Sequence, residues 1–148
     1  MLELQYLIFT VIILALIFDF INGFHDTANA IATSVSTRAI SPRNAILMAA
    51  ALNFVGALYS TGVAKTIGGD IVKSAAHVDE RIIIAALIGA IVWNILTWWI
   101  ALPSSSSHAL VGGLIGAVLV STGADGLNYY GIGKIVVSLV ASPLLAIG

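Results

Sequence analysis

The sequence predicts an all-α polytopic membrane protein, and its composition, its apolar runs and its aromatic residues support this. Of the 148 residues, 59% are hydrophobic and 9% charged, with a mean hydropathy of +1.06, well outside the range of soluble domains. Apolar runs recur that approach the ~20 residues needed to cross a ~30 Å hydrocarbon core. Tyr6, Trp98, Trp99, Tyr129 and Tyr130 lie near the ends of these runs, as interface residues do.

We expect about five hydrophobic segments, with a broken first span and a possible re-entrant hairpin. The segments are Leu4 to Gly23, Asn44 to Val63, Ile82 to Leu102, Ala109 to Gly123, and a run from Ile132 that is still apolar at Gly148. The first segment lacks the positive leading region of a secretory signal, so it is interpreted as a retained span. Arg38 and Arg43 favour a cytoplasmic link after it. We expect residues 1–148 to form a single transmembrane unit whose apolar end indicates truncation.

Charge and cysteine content exclude several classes of function. Six basic residues face seven acidic ones, so no basic surface is available for nucleic acid. Without cysteine there is no disulfide framework and no thiolate metal site. His25, Asp26 and His108 could together hold a metal, but no HExxH or similar spacing supports a dedicated site. We expect no covalent chemistry and no cofactor.

The first polar cluster follows the first apolar segment, at or near membrane depth. At about 100° per residue, five polar residues fall within about 80° of one another on a helix. This set, which we call the polar stripe, is Asp19, Asn22, Asp26, Asn29 and Thr33. An Asp at the centre of a span costs roughly 2.5–3.5 kcal/mol, so the carboxylates indicate function.

A helix broken at Gly23 would add free backbone carbonyls to the polar stripe, and the combination predicts a cation or coupling site. The alternative is a span end that faces water, with the asparagines capping helices. His25, beside Asp26, is either a proton relay or an interfacial residue.

The second polar cluster is Pro103 to His108, and it leads directly into an apolar run. We call its hydroxyl residues, Ser104, Ser105, Ser106 and Ser107, the serine turn. Pro favours the first helical turn and Ser is a preferred cap, so this segment predicts a helix amino terminus with free N–H groups. Such a terminus suits an oxyanion. The alternatives are an interfacial loop and, less favoured, a Ser-His nucleophile without an orienting carboxylate.

Two segments, Phe20 to Ala30 and Pro103 to Leu110, resemble the two amino-half signatures of the PiT inorganic phosphate transporter family. The resemblance runs over essentially the whole chain, including Thr37-Arg38-Ala39 and Ser142-Pro143. It implies one half of an inverted-repeat, ion-coupled phosphate symporter, with the substrate site between broken helices or hairpins. The other half of that site would then lie in a missing carboxy-terminal half or in a second chain.

The resemblance also implies ligand residues. Asp26 and Asn29 match the family's Gly-x-x-Asp-x-x-Asn motif, and the serine turn matches its Ser-rich motif. We expect phosphate at Asn29 and the serine turn, and the coupling cation at Asp19, Asn22, His25 and Asp26. Many members have Asn where His25 stands, and sodium-coupled members tend to carry Glu where Asn53 falls. Both departures favour coupling to protons, or carriage of a divalent metal-phosphate complex, over sodium.

The prediction is therefore secondary transport of inorganic phosphate with a proton, sodium ion or metal as co-substrate. The chain would lie in a cell membrane as a multi-pass protein, as in a bacterial inner membrane. One alternative is a channel subunit lined by the two clusters. The other is an assembly subunit that does not transport.

Overall fold

The computed structural model describes residues 2–59, 71–73 and 79–147, and in these ranges the chain forms five α-helices and one short 3-10 helix. The helices are α1 (Leu2–Ser36), α2 (Pro42–Tyr59), α3 (Glu80–Trp99), α4 (Ser106–Thr122) and α5 (Tyr129–Ile147), with the 3-10 helix at Ala124–Gly126. The predicted all-α fold is confirmed. The predicted end of the second segment, residues 60–63, and most of the charged loop after it lie outside the described residues.

Helices α1 and α3 are long and apolar enough to cross a membrane, judged by length and composition. Helix α4 and the first part of α5 are shorter apolar helices. At ~1.5 Å per residue, α1 is about 52 Å long because it contains 35 residues. It therefore exceeds one ~30 Å hydrocarbon core, and the polar stripe belongs to the same rod as the apolar segment before it.

The predicted break of the first span at Gly23 is wrong. Helix α1 continues through Gly23 without a turn or bend. A glycine inside a helix costs only about 1 kcal/mol relative to alanine, whereas backbone groups freed in an apolar environment cost several kcal/mol each. The continuous helix is the cheaper solution, and the carbonyl ligands expected from a break are not freed.

Helices α3 and α4 form an antiparallel hairpin. Gly113 of α4 lies against Ala86 of α3, so closely that a Cβ atom at Gly113 would be 2.5 Å from the Ala86 carbonyl oxygen. Towards the turn, the Trp93 indole N–H donates to the Ser104 hydroxyl at 3.1 Å. A hairpin is present as predicted, and its re-entrant course in the membrane stays a prediction. Its close approach depends on a small residue at the contact, as in other membrane helix pairs.

The hairpin packs on α1 and on a short extended segment. Phe18 of α1 forms a buried cluster with Leu87 and Ala90 of α3. On the other side, residues 71–73 run antiparallel to residues 126–128, with a bridge between Val72 and Leu127. This packing sets the position of α1 along its axis relative to the start of α4. It therefore determines where the two polar clusters lie relative to each other.

Candidate functional site

The two polar clusters meet in the structure. Ser106, in the first turn of α4, is fully buried, and its hydroxyl donates to Asp26 Oδ1 at 3.4 Å across 80 positions of sequence. This distance is long for an O–H···O bond, which is usually about 2.5–3.0 Å. The Asp26 side chain also keeps 42% of its surface exposed. The carboxylate is therefore close to the helix start but remains open to a ligand.

The serine turn is a helix amino terminus, as predicted, but its hydroxyls have different surroundings. Ser105 is the cap of α4, and its hydroxyl accepts from the His108 backbone N–H at 3.5 Å. Ser104 accepts the indole N–H of Trp93. Ser107 and His108 are exposed. Among these residues, Ser106 is the one whose hydroxyl is hydrogen-bonded to the polar stripe in the described part of the chain.

Helix α1 divides the polar stripe between two sides. Asp19, Asn22 and Asp26 line an open cavity of about 740 Å³ between α1 and α2, together with Asn53 of α2. Asn29 instead lines a smaller cavity of about 230 Å³ against the end of α3. The structure therefore brings Asp26 together with Ser106, but it does not place Asn29 in the same cavity as Asp19, Asn22 and Asp26.

His25 lies on the buried side of α1. It is 6% exposed and lines the smaller cavity with Asn29 and Thr97. Its Nδ1 atom lies 3.5 Å from Asp26 Oδ1 but makes no hydrogen bond within the described residues. The interfacial interpretation of His25 does not fit this burial. A buried imidazole beside a carboxylate can hold or pass a proton.

Two residues of α3 were missed by the sequence interpretation. Asn94 is fully buried, and neither atom of its amide has a hydrogen-bond partner among the described residues. A buried polar group left unpaired costs about 1–3 kcal/mol, so this amide does not favour the fold. Trp93, whose indole N–H donates to the Ser104 hydroxyl, is the second residue that the sequence interpretation missed. A single asparagine inside the apolar run from Ile82 to Trp99 was the available signal.

The described residues contain no group of three or more His, Asp or Glu side chains arranged to hold a metal ion. The oxygen atoms that converge are the Asp26 carboxylate and the Ser106 hydroxyl, with Asn22 and Asn53 further along the open cavity. Such hard oxygen donors suit a proton, an alkali cation or a hydrated divalent ion. The free N–H groups and positive end of α4 suit an anion beside them.

Comparison with known proteins decides the family. The model of the phosphate transporter family matches residues 22–148. The chain belongs to the phosphate transporter family. This confirms the resemblance described above, and it agrees with the expectation of transport instead of catalysis.

Individual relatives of this family member support the same assignment. A probable low-affinity inorganic phosphate transporter of Bacillus subtilis is 56% identical over 137 residues, which cover 92% of this chain and 41% of that protein. A protein of the same description from Streptomyces halstedii is 48% identical, covering 95% of this chain and 66% of the relative. The chain therefore spans less than two thirds of either protein.

A solved structure gives the same fold. It is described as the sodium-dependent phosphate transporter, and it superposes with a TM-score of 0.87 at 36% sequence identity. The match covers 95% of this chain and 36% of that one. The helical membrane fold is therefore shared with a phosphate transporter.

Proposed function

We propose that the full-length protein carries inorganic phosphate across a cell membrane together with a coupling cation, as a multi-pass carrier in which residues 1–148 form one transmembrane unit. The observation that carries the proposal is the approach of Asp26 to the buried Ser106 at the start of α4. The names of the relatives, low-affinity inorganic phosphate transporter and sodium-dependent phosphate transporter, support it.

The need for a cation follows from the charge of Asp26. Phosphate held by the helix start would bring a second negative charge close to this carboxylate. Two like charges 4 Å apart repel by about 4 kcal/mol at an effective dielectric constant of 20. A proton, a sodium ion or a divalent metal at Asp26 removes that repulsion and permits phosphate to bind. Loading of the two ligands is then coupled.

The proposed division of roles follows the geometry. Asp19, Asn22 and Asp26 line the open cavity and form the cation side, with His25 available as a proton carrier behind them. Ser105, Ser106 and Ser107 form the anion side at the start of α4. Ser104 supports the turn through its bond to Trp93, and Asn29 would reach phosphate from the smaller cavity.

Different observations favour different coupling cations. The sodium-dependent relative favours sodium, whereas the buried imidazole of His25 beside Asp26 favours a proton. Magnesium phosphate is the third candidate, because a metal bound to phosphate neutralises part of its charge before it reaches Asp26.

The test is uptake of radiolabelled phosphate into proteoliposomes that contain the full-length protein. The pH and sodium gradients are varied independently, with and without magnesium. Saturable uptake driven by one of these gradients supports the carrier. No uptake under any gradient refutes phosphate transport, and single-channel currents would show that the protein is a channel instead of a carrier.

A further inference from the structure

Asn94 combines complete burial with an unsatisfied amide. Its side chain is 0% exposed, and both Oδ1 and Nδ2 are without partners among the described residues. Burying a polar group without a hydrogen-bond partner is unfavourable. Leucine has nearly the same shape and would fill the position without that cost. An asparagine at this position therefore needs a use outside packing.

The packing of the helix pair places Asn94 at the level of the serine turn. In the hairpin, Ala86 faces Gly113 and Trp93 bonds to Ser104, so the residue after Trp93 lies level with the start of α4. Ser106 at that start is also 0% exposed.

Helix α1 reaches the same level. Phe18 packs on Leu87 and Ala90, while His25 shares a cavity with Thr97, so α1 and α3 run in parallel. The buried side of α3 that contains Ala90, Asn94 and Thr97 thus follows the side of α1 that ends in His25. Asn94 lies where α1, α3 and the start of α4 meet.

The chemistry of the amide restricts its ligand. Oδ1 needs a donor and Nδ2 needs an acceptor, and the two atoms are adjacent. A bare cation satisfies only the oxygen, and a fully ionised anion satisfies only the N–H groups. A hydroxyl satisfies both, because it donates and accepts at one atom.

We propose that Asn94 binds a hydroxyl group next to Ser106, either of a water molecule or of the P–OH of a protonated phosphate. The amide is closed to solvent in this conformation. Its ligand is therefore enclosed on folding if it is water, and enters when the helices separate during transport if it is phosphate. The second source rests on the proposed function. In both cases the hydroxyl links α3 to the Asp26–Ser106 contact.

The experiment compares phosphate with fluorophosphate as substrates of the full-length protein in proteoliposomes. Fluorophosphate carries fluorine where hydrogen phosphate carries a hydroxyl, and near neutral pH it has no proton to donate. The variant is Asn94→Leu. The matched control is Thr122→Val, which removes a hydroxyl bonded to the Val118 carbonyl of its own helix, at the far end of α4. Thermal unfolding in detergent is measured for both variants.

We expect Asn94→Leu to be at least as heat-stable as the wild type and to take up phosphate about tenfold more slowly, as for loss of one or two hydrogen bonds. If the wild type prefers phosphate to fluorophosphate and Asn94→Leu abolishes that preference, the ligand is the phosphate hydroxyl. If uptake of both substrates falls equally, the ligand is water.

If the wild-type protein takes up phosphate, two results overturn the proposal. One is phosphate uptake by Asn94→Leu at the wild-type rate. The other is a lower unfolding temperature in this variant than in Thr122→Val, which would assign the amide to the packed core. Absence of uptake by the wild type is a different result, because it refutes the proposed function itself. In that case the ligand is water, and the proposal predicts that Asn94→Leu is at least as heat-stable as the wild type; an unfolding temperature below that of Thr122→Val rejects it.

Discussion

The two helix pairs of this chain are built in opposite ways. Helices α3 and α4 touch through backbone at Gly113 and Ala86, with no space for even a methyl group. Helices α1 and α2 are separated by an open cavity of about 740 Å³ lined by carboxylates and amides. A hydrogen bond between Asn53 and Thr27 at 3.4 Å links them. The close pair fixes the serine turn, and the open pair leaves room for ligands beside it.

This difference suggests which part of the site is rigid. Ser106 is carried by the close pair, whereas Asp26 borders the open cavity and contacts Ser106 from α1. A preorganised donor facing a more accessible carboxylate is suited to binding two ligands of opposite charge in turn. Substitutions on each side should therefore have separable effects on transport and on stability.

The largest effect is expected for Asp26→Asn. Loss of a charged hydrogen-bonding group costs about 1.5–3 kcal/mol, so gradient-driven phosphate uptake should fall roughly 10- to 100-fold. Stability in detergent should change little because the carboxylate is partly exposed. The measurement is radiolabelled uptake, with Asp125→Asn in the exposed 3-10 helix as the control. Equal uptake by the two variants would show that Asp26 takes no part in coupling phosphate to the cation.

Gly113→Ala tests the close pair. The added methyl would meet the Ala86 carbonyl, and overpacking of this kind typically costs about 1–3 kcal/mol. Chemical unfolding in detergent should show this loss. Gly112→Ala is the matched control, since a Cβ there meets nothing within 4 Å and alanine favours helix by up to about 1 kcal/mol. If both variants are equally stable, the hairpin is less closely packed than described.

Ala49→Leu tests the open pair, because Ala49 lines the cavity beside Asp26. Filling that space should slow phosphate uptake about tenfold, equivalent to about 1.4 kcal/mol of lost binding. The free energy of unfolding should stay within about 0.5 kcal/mol of the wild type, as for substitutions outside the core. Ala51→Leu, on the same helix but outside the cavity lining, is the control. Equal loss in both would point to membrane packing of α2.

The smallest effect is expected at Asp79, which caps α3 and accepts from the Arg81 backbone N–H at 3.3 Å. Hydrogen bonding, first with the Glu80 side chain and then with the Arg81 N–H, holds the pKa of Asp79 below its usual 3.8. A lowered pKa means that the cap stabilises above that value and is lost as pH falls through the folded-state pKa. Asp79→Ala should therefore be slightly less stable near neutral pH and nearly equal to wild type in acid, as followed by thermal unfolding.

Much of the helical architecture could be predicted because lipid requires long apolar segments whose backbone groups are paired internally. The serine turn was also predictable, since Pro and Ser before an apolar run are local signals of a helix start. The continuity of α1 at Gly23 was not, because periodicity cannot weigh a modest glycine penalty against backbone pairing. The contact of Asp26 with Ser106 depends on how α1 docks on the hairpin, and sequence spacing does not contain that information.

The indole of Trp93 adds a spectroscopic consequence. Its N–H donates to the hydroxyl of Ser104, so the emission of this tryptophan depends on the position of the serine turn. With Trp98 and Trp99 replaced by phenylalanine, Trp93 would be the remaining tryptophan among the three in this sequence. The chain would then carry its own optical reporter, one residue before Asn94, for any movement of the turn during a transport cycle.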